Sequence, residues 1–441
     1  MTSILETENA PLLKTDIPGP RSMELLRKQM EMETTTVVYP NSFPIAIKEI
    51  HGSVIEDVDG NRLIDWVSGI SVLNLGYSEE ITSAINKQLS LISHALEIPT
   101  ETRITFMESL RKIFPSNMRG YRIMFGISGS DACETAVNIA HEVHGGKHST
   151  VTFEGAYHGV SGGIVSATAG DKYKRTSYSN GFDVIRVPFP YNIWYKNDVG
   201  SISATLRKIM VDPEAGYERP DSVLIEPIQG EGGYIVPPPG FLKEIREFCD
   251  EFDLTMIVDE IQSGLGRTGK IWAFEWDGIT PDIICIGKSI GGGVPISVIY
   301  YRDDYDKKLR SPFHMGTYRA NVLAMAGGIE VMKQIPAYLE RVNEDGKKLL
   351  GSFSSLGSEN IVDVRGKGFM IGIELGENGK PMPQNSMTSI KHQLLKKGLM
   401  MHTCGHYGNV FRFMGALNIP NVLINNGFGI FKEVIEKKEV K

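Results

Sequence analysis

The sequence predicts an α/β protein: a mostly parallel central sheet with helices on both faces, accompanied by a smaller α/β domain. Three observations carry this. From about residue 80, amphipathic helical stretches alternate with short, continuously apolar strand stretches, the pattern of a sheet covered on both faces. Several of those apolar runs end in charged or amide side chains, at the edge where an open α/β sheet holds its ligand. After about residue 325 a second, smaller set of helices and strands begins.

The elements follow in order. Residues 1–40 are polar and mixed, with a short helix expected from Ser22 (SMELLRKQMEME). The stretch 45–66, IAIKEIHGSVIEDVDGNRLIDW, alternates around a D-G-N turn and reads as a small antiparallel hairpin unit. Then come the helix ITSAINKQLSLISHA, the strand RIMFGI, the helix DACETAVNIAHEV, and the strands STVTFEGA and DSVLIEP. GFLKEIREFCDEF is a helix, and TMIVDE and DIICIG are strands. AMAGGIEVMKQI opens the last part as a helix, followed by DVRGKGFMIGIEL, the helix SMTSIKHQLLKKG and NVFRFMG. These shifts divide the chain into an N-terminal segment with the hairpin (1–75), a large domain (76–325) and a C-terminal small domain (326–441).

Composition narrows the function. With 46 basic and 53 acidic residues, net charge −7 and no basic block, neither nucleic acid nor an anionic membrane is an expected partner. No apolar run reaches membrane-spanning length, and the first residues, MTSILETENAPLLKTD, lack the apolar core of a signal peptide. Cys133, Cys249, Cys285 and Cys404 have no zinc or redox spacing, so they read as small apolar residues of a cytoplasmic protein, and no metal is expected.

The stretch CIGKSIGGGVP, 285–295, delivers an ammonium, Lys288, at the end of a buried strand, where desolvation opposes it. A P-loop needs a glycine at 282, and Asp282 stands there, so that motif fails. Two readings remain: a lysine reaching water along its stem, and a lysine bonded to a cofactor aldehyde. Other strand ends tilt the balance. LIEP ends in Glu226, and MIVDEIQ carries Asp259 and Gln262. A structural ion pair accounts for any one pair of these groups; opposite charges converging from three strand ends are the signature of a cofactor site.

Pyridoxal phosphate fits that inventory. Ser128-Gly129-Ser130 precedes a helix whose N-terminal N–H groups suit a phosphate, although the same stretch alone is a well-capped helix. Asp259 is the carboxylate for the pyridine nitrogen, and Tyr157 and His158 in GAYHG offer an aromatic for the ring face. GLGRTG, 264–269, matches G-x-G-x-x-G but stands too far from its strand for a dinucleotide site.

These residues carry a likeness. The chain resembles the class III aminotransferases, pyridoxal-phosphate enzymes of fold type I, and is most similar to the 4-aminobutyrate aminotransferases among them. The likeness runs from about residue 17 to 436 and is sharpest in LIEPIQGEGGYIVPPPGFL, IVDEIQSGLGRTGK and PDIICIGKSIGGGVP. DWVSGISVLNLG, which contains Ile70, and CGHYGNVFRF match regions near the substrate. The resemblance implies a small domain assembled from both terminal segments and a homodimer with shared active sites, with pairing into tetramers left open. By position, Lys288 matches the Schiff-base lysine, Asp259 the partner of the pyridine nitrogen, and Gln262 the glutamine near the ring hydroxyl. Gly129 and Ser130 match the phosphate loop, Tyr157 the stacking aromatic, and Glu226 a supporting carboxylate. Thr317 matches a threonine that reaches the neighbouring subunit's cofactor phosphate, and Arg412 and Glu231 a substrate-carboxylate arginine with its masking glutamate.

The implied activity moves an amino group from an amino acid or ω-amino donor to a 2-oxo acid, with 2-oxoglutarate the expected acceptor. Departures concern the donor. Relatives acting on 4-aminobutyrate follow Tyr-His-Gly with an arginine for the distal carboxylate; here it is Val160, with Arg319 and Lys172 as substitute cations. Ala320-Asn321-Val322 replaces the usual Gly-Asn-Pro, and RFMGALNIP lacks a proline pair. The alternative activity is an amino-acid racemase or epimerase of the same family, whose members carry Asp at the place of Glu231 and Ala-Ser-Gly at Gly291-Gly292-Gly293. From another class, a non-catalytic cofactor-binding protein has no use for a substrate-carboxylate clamp.

Overall fold

A computed structural model describes residues 9–146, 149–170, 173, 181–194 and 202–436. The chain divides into two compact units, Glu79–Asn343 and Met1–Ser78 with Glu344–Lys441.

The larger unit holds a seven-stranded sheet. Its strands are β1 (Arg122–Gly126), β2 (Ser149–Phe153), β3 (Val184–Val187), β4 (Pro220–Ile225), β5 (Thr255–Asp259), β6 (Ile283–Ile286) and β7 (Ser297–Tyr301). Their spatial order is β1-β7-β6-β5-β4-β2-β3, parallel except for β7, which runs against both β1 and β6. Strands β2, β4, β5, β6 and β7 are buried along their whole length, which explains the near-continuous apolar runs of β5, β6 and β7. The reversal at β7 went unforeseen. The short link from Ile286 to Ser297 leaves no room for a helical crossover, so the chain turns back beside β6.

Five helices of this unit matter here: α1 (Glu79–Leu89), α2 (Glu101–Ile113), α3 (Gly129–Val143), α4 (Phe241–Phe252) and α5 (Val322–Gln334). Helix α3 lays Ala132, Ala136 and Val137 against Leu224, Ile257, Ile283 and Ile299 of the sheet, a fully buried core. Helix α5, expected to open the second domain, packs on α1 and α2 and belongs to the larger unit. Its Gly328 is required there, because a β-carbon would stand 2.1 Å from the Ile290 carbonyl oxygen.

The smaller unit has two sheets. One is the meander Ile47–His51, Val54–Asp57 and Arg62–Asp65, one strand more than the expected hairpin, extended by Leu399–Met400 in parallel. The other carries Ile361–Lys367, Met370–Glu377, Val410–Phe413 and His402–Cys404, with Lys380–Pro381 on Met370–Glu377. Trp66 is fully buried against the edge of Phe413, ring centroids 4.9 Å apart. The C-terminal helix Asn421–Glu436 crosses it at Gly427, where a β-carbon would strike the indole at 2.3 Å. No helix among the described residues is long and apolar enough to cross a membrane.

Candidate active site

Three turns of the larger unit meet around one side chain, Ile261. It follows β5 by two residues, and β-carbons built at Gly129 and Gly287 would lie 3.0 and 3.3 Å from it. Ile261 thus joins the start of α3, the end of β5, and the turn after β6 that carries Lys288. Gly159 ties in the loop after β2: its φ is +115°, and a β-carbon there would meet the Ser130 Oγ at 2.1 Å.

Ser128 caps α3, its Oγ accepting the Asp131 N–H at 3.2 Å. Ser130 and Gly129 form the first turn, with their amides at the positive end of a 15-residue helix. Lys288 starts a single tight turn, Lys288–Gly291, at φ +50°, a left-handed conformation that costs a non-glycine residue about 1–3 kcal/mol. Such strain is kept where the side chain's direction matters.

Asp259 ends β5 and is buried. Its Oδ2 accepts from His158 Nδ1 at 2.8 Å and from the Cys133 thiol at 3.3 Å, while Oδ1 accepts the Ile261 N–H at 3.0 Å. Because a carboxylate only accepts, Nδ1 is the protonated ring nitrogen. The three side chains bring a sulfur, a nitrogen and an oxygen within 4.8 Å of one another. Two hydrogens aimed at one oxygen make this a hydrogen-bonded set rather than a coordination shell. His158 is itself fixed from behind: its N–H donates to the Thr168 Oγ1 at 3.0 Å, and that hydroxyl donates to the Gly159 carbonyl at 2.7 Å.

Glu226, past the end of β4, accepts the Tyr157 N–H at 2.9 Å and the Gly230 N–H at 2.8 Å, tying two loops to the strand. Burial pushes its carboxyl up to about 7, with His158 opposing the rise and Asp259 adding to it. Next to Asp259, Glu260 is also raised to about 7 by burial, against the bonds it accepts from Ser263 and the Phe274 N–H. Gln262 is buried and its Oε1 has no hydrogen-bond partner; Gly230 makes room for it, since a β-carbon there would lie 2.5 Å away. Tyr157 meets Tyr173 edge to face at 4.9 Å, and the Tyr173 hydroxyl donates to Glu231 at 3.3 Å.

Pyridoxal phosphate can be tested against these groups. Oδ2 of Asp259 already has two donors and Oδ1 one, so the carboxylate retains an acceptor position for a protonated ring nitrogen. The orphaned Gln262 oxygen wants a hydroxyl donor, and the start of α3 wants an anion. The donor set fits the group.

Val160 is exposed, and so is Thr317. Arg319 is committed to Asp131, with Nη2 to Oδ1 at 3.2 Å. Lys172 lies outside the described residues. Ile70 and Arg412 belong to the smaller unit. Ile70 is one of four consecutive left-handed residues, Ser68–Ser71, and lines an apolar cavity of about 700 Å³ with Phe43, Ile45 and Leu73. Arg412 is buried within Val410–Phe413, opposite Gly372 and His402.

Sequence reasoning passed over Cys133, Thr168 and Gly230. Nothing marks a threonine ten residues after a histidine as its support, and Cys133 read as a small apolar residue.

Known proteins resemble this chain along most of its length. The pattern of the family described as aminotransferase class-III matches residues 36–435. A diaminobutyrate–2-oxoglutarate aminotransferase of Rhizobium meliloti is 32% identical, covering 93% of this chain and 92% of that protein. A 4-aminobutyrate aminotransferase of Mycobacterium leprae is 32% identical over 99% of both. An alanine/serine racemase of Pyrococcus horikoshii is 31% identical, over 97% of this chain and 93% of its own. Among solved structures, a Bacillus anthracis aminotransferase superposes with a TM-score of 0.83 at 25% identity, covering 94% of this chain and 98% of that one. The chain belongs to the aminotransferase class-III family of pyridoxal-phosphate-dependent enzymes.

Proposed function

We propose that this enzyme transfers an amino group from a donor with a neutral or apolar far end to 2-oxoglutarate, with Lys288 as its catalytic residue. The observation that carries the reading is the meeting of the Ser128–Ser130, Asp259–Gln262 and Gly287–Lys288 turns on Ile261. Bound pyridoxal phosphate supplies an electron sink for the charge that develops as the substrate's C–H proton leaves. Lys288 anchors the cofactor, then takes that proton on Nζ and returns it as general base and acid. When the cofactor is bound, Asp259 would hold the ring nitrogen's proton, Gln262 Oε1 would accept from the ring hydroxyl, the N–H groups of Ser128–Ser130 would hold the phosphate, and Tyr157 would serve as the ring's aromatic neighbour. Glu226 keeps the Tyr157 and Gly230 loops in place.

We assign Arg412 to the substrate α-carboxylate and Glu231 to masking it. At Val160 a distal carboxylate meets an exposed apolar side chain, and Arg319 is already engaged by Asp131. The acceptor is supported by the diaminobutyrate relative, whose name includes 2-oxoglutarate. Exposed Thr317 suits contact with a second subunit's cofactor in a homodimer, and four buried free cysteines suit a reducing, cytoplasmic setting. Spectral half-reactions of the holoenzyme against amino acids and ω-amines test the reading.

The racemase relative keeps one competing activity in view. Against it, Gly292 has φ +59°, and a β-carbon there would lie 2.7 Å from Ile81, so the serine of an Ala-Ser-Gly sequence does not fit. Chiral chromatography without a keto acid separates the two: conversion of one enantiomer into the other overturns transfer as the main reaction.

A further inference from the structure

Cys133 sits on the inner face of α3, one residue beyond Ala132 and fully buried, yet its thiol does more than pack. It donates to Oδ2 of Asp259 at 3.3 Å, the oxygen that also takes the His158 Nδ1 hydrogen at 2.8 Å. The neighbouring thiol of Cys285, which is the register partner of Asp259 across β5 and β6, spends its own hydrogen on the Ala132 carbonyl at 3.6 Å. Each carboxylate oxygen offers two acceptor positions. On Oδ2 both are filled, by Cys133 and His158; on Oδ1 one is filled, by the Ile261 N–H.

We propose that Cys133 is a positioning residue for the cofactor: by saturating Oδ2 together with His158, it fixes the rotation of the Asp259 carboxylate so that Oδ1 presents its open acceptor position to the ring nitrogen. The inference rests on the assignment of Asp259 to that nitrogen. Burial, with Cys285 and Asp259 close by, holds the Cys133 thiol well above its usual range, so it stays a donor at neutral pH. Without it the carboxylate is held on Oδ2 by His158 alone and swings more freely about its Cβ–Cγ bond.

Two substitutions separate the hydrogen bond from the packing. Cys133→Ala removes the donor; Cys133→Ser keeps one. Dissociation of pyridoxal phosphate is measured by equilibrium titration, and the ring-nitrogen ¹⁵N shift is read on protein loaded with labelled cofactor. Cys133→Ala is expected to weaken cofactor binding about fivefold, which is about 1 kcal/mol, and to move the ¹⁵N resonance. Cys133→Ser is expected to restore both to near the wild-type values. Loss in both variants alike, including a failure of both to fold, assigns Cys133 to packing and overturns the proposal, as does wild-type behaviour in both. A wild-type chain that binds no cofactor fails the functional reading as well, and is told apart by that control.

Discussion

Nδ1 of His158 donates to Oδ2 of Asp259 across 2.8 Å, with both side chains buried and the histidine's own backbone N–H bonded to Thr168. A strand-end carboxylate is thereby held from the loop after β2, already oriented for the ring nitrogen that the proposed function assigns to it. Replacing His158 with Leu keeps much of the volume and removes the donor. The expected result is cofactor affinity lower by roughly tenfold or more, the scale of a hydrogen bond to a charged group, measured by titration of the apoprotein. Unchanged affinity contradicts the role given to the pair.

Gly159 stands where the chain crosses Ser130, at φ +115° with no room for a β-carbon. Gly159→Ala therefore has to push the Ser130 side chain aside and also strain the backbone, about 1–3 kcal/mol for the conformation alone. Phosphate is expected to protect the apoprotein from thermal unfolding in wild type and far less in this variant. Equal protection in both removes Ser130 from the phosphate site.

Glu260 supplies a pH signature. Its carboxyl is raised to about 7 in the fold, against an ordinary 4.5. Between those values the folded chain holds a proton that the unfolded chain has released, so stability falls as pH rises through that window. The contribution is full below about 4.5 and gone above about 7, and is worth about 3 kcal/mol at most. Glu226 adds a slope of the same sign. Glu260→Gln keeps the carbonyl acceptor and removes one of the two slopes. Its melting temperature is expected to fall less than that of wild type between pH 5 and pH 8; parallel curves contradict the assignment.

Val160 is the residue through which donor choice is tested. An arginine there offers a distal carboxylate a bidentate contact worth about 2–3 kcal/mol. Val160→Arg is expected to raise kcat/KM for 4-aminobutyrate relative to neutral α-amino acids by tenfold or more, about 1.4 kcal/mol in the transition state. A wild type that already prefers 4-aminobutyrate tenfold removes Val160 from specificity.

The strand ends were legible because polar groups are out of place there: Lys288, Asp259, Glu226 and Gln262 stand at or just past the ends of apolar runs. The mostly parallel sheet followed from the alternation of strand and helix stretches. Other features carried no such mark. The left-handed turn Ser68–Ser71 contains a single glycine, so VSGIS gives no hint that four residues in succession take positive φ. The boundary at Asn343 depends on what α5 packs against, a tertiary fact that its local pattern does not contain. Cys133 was invisible because a thiol that packs and a thiol that donates are the same letter, and only the 3.3 Å contact to Asp259 distinguishes them.

The central claim is that Lys288 carries amino transfer on a bound cofactor. The most direct measurement follows ¹⁵N from a labelled neutral amino acid into glutamate in the presence of 2-oxoglutarate, in wild type and in Lys288→Ala. The wild-type enzyme is expected to deliver the label with one glutamate formed per donor consumed. Lys288→Ala is expected to lose its cofactor's near-visible absorption band and to slow by about 10³-fold or more. Full transfer by Lys288→Ala, or a wild type that inverts the donor without moving its nitrogen, contradicts the account.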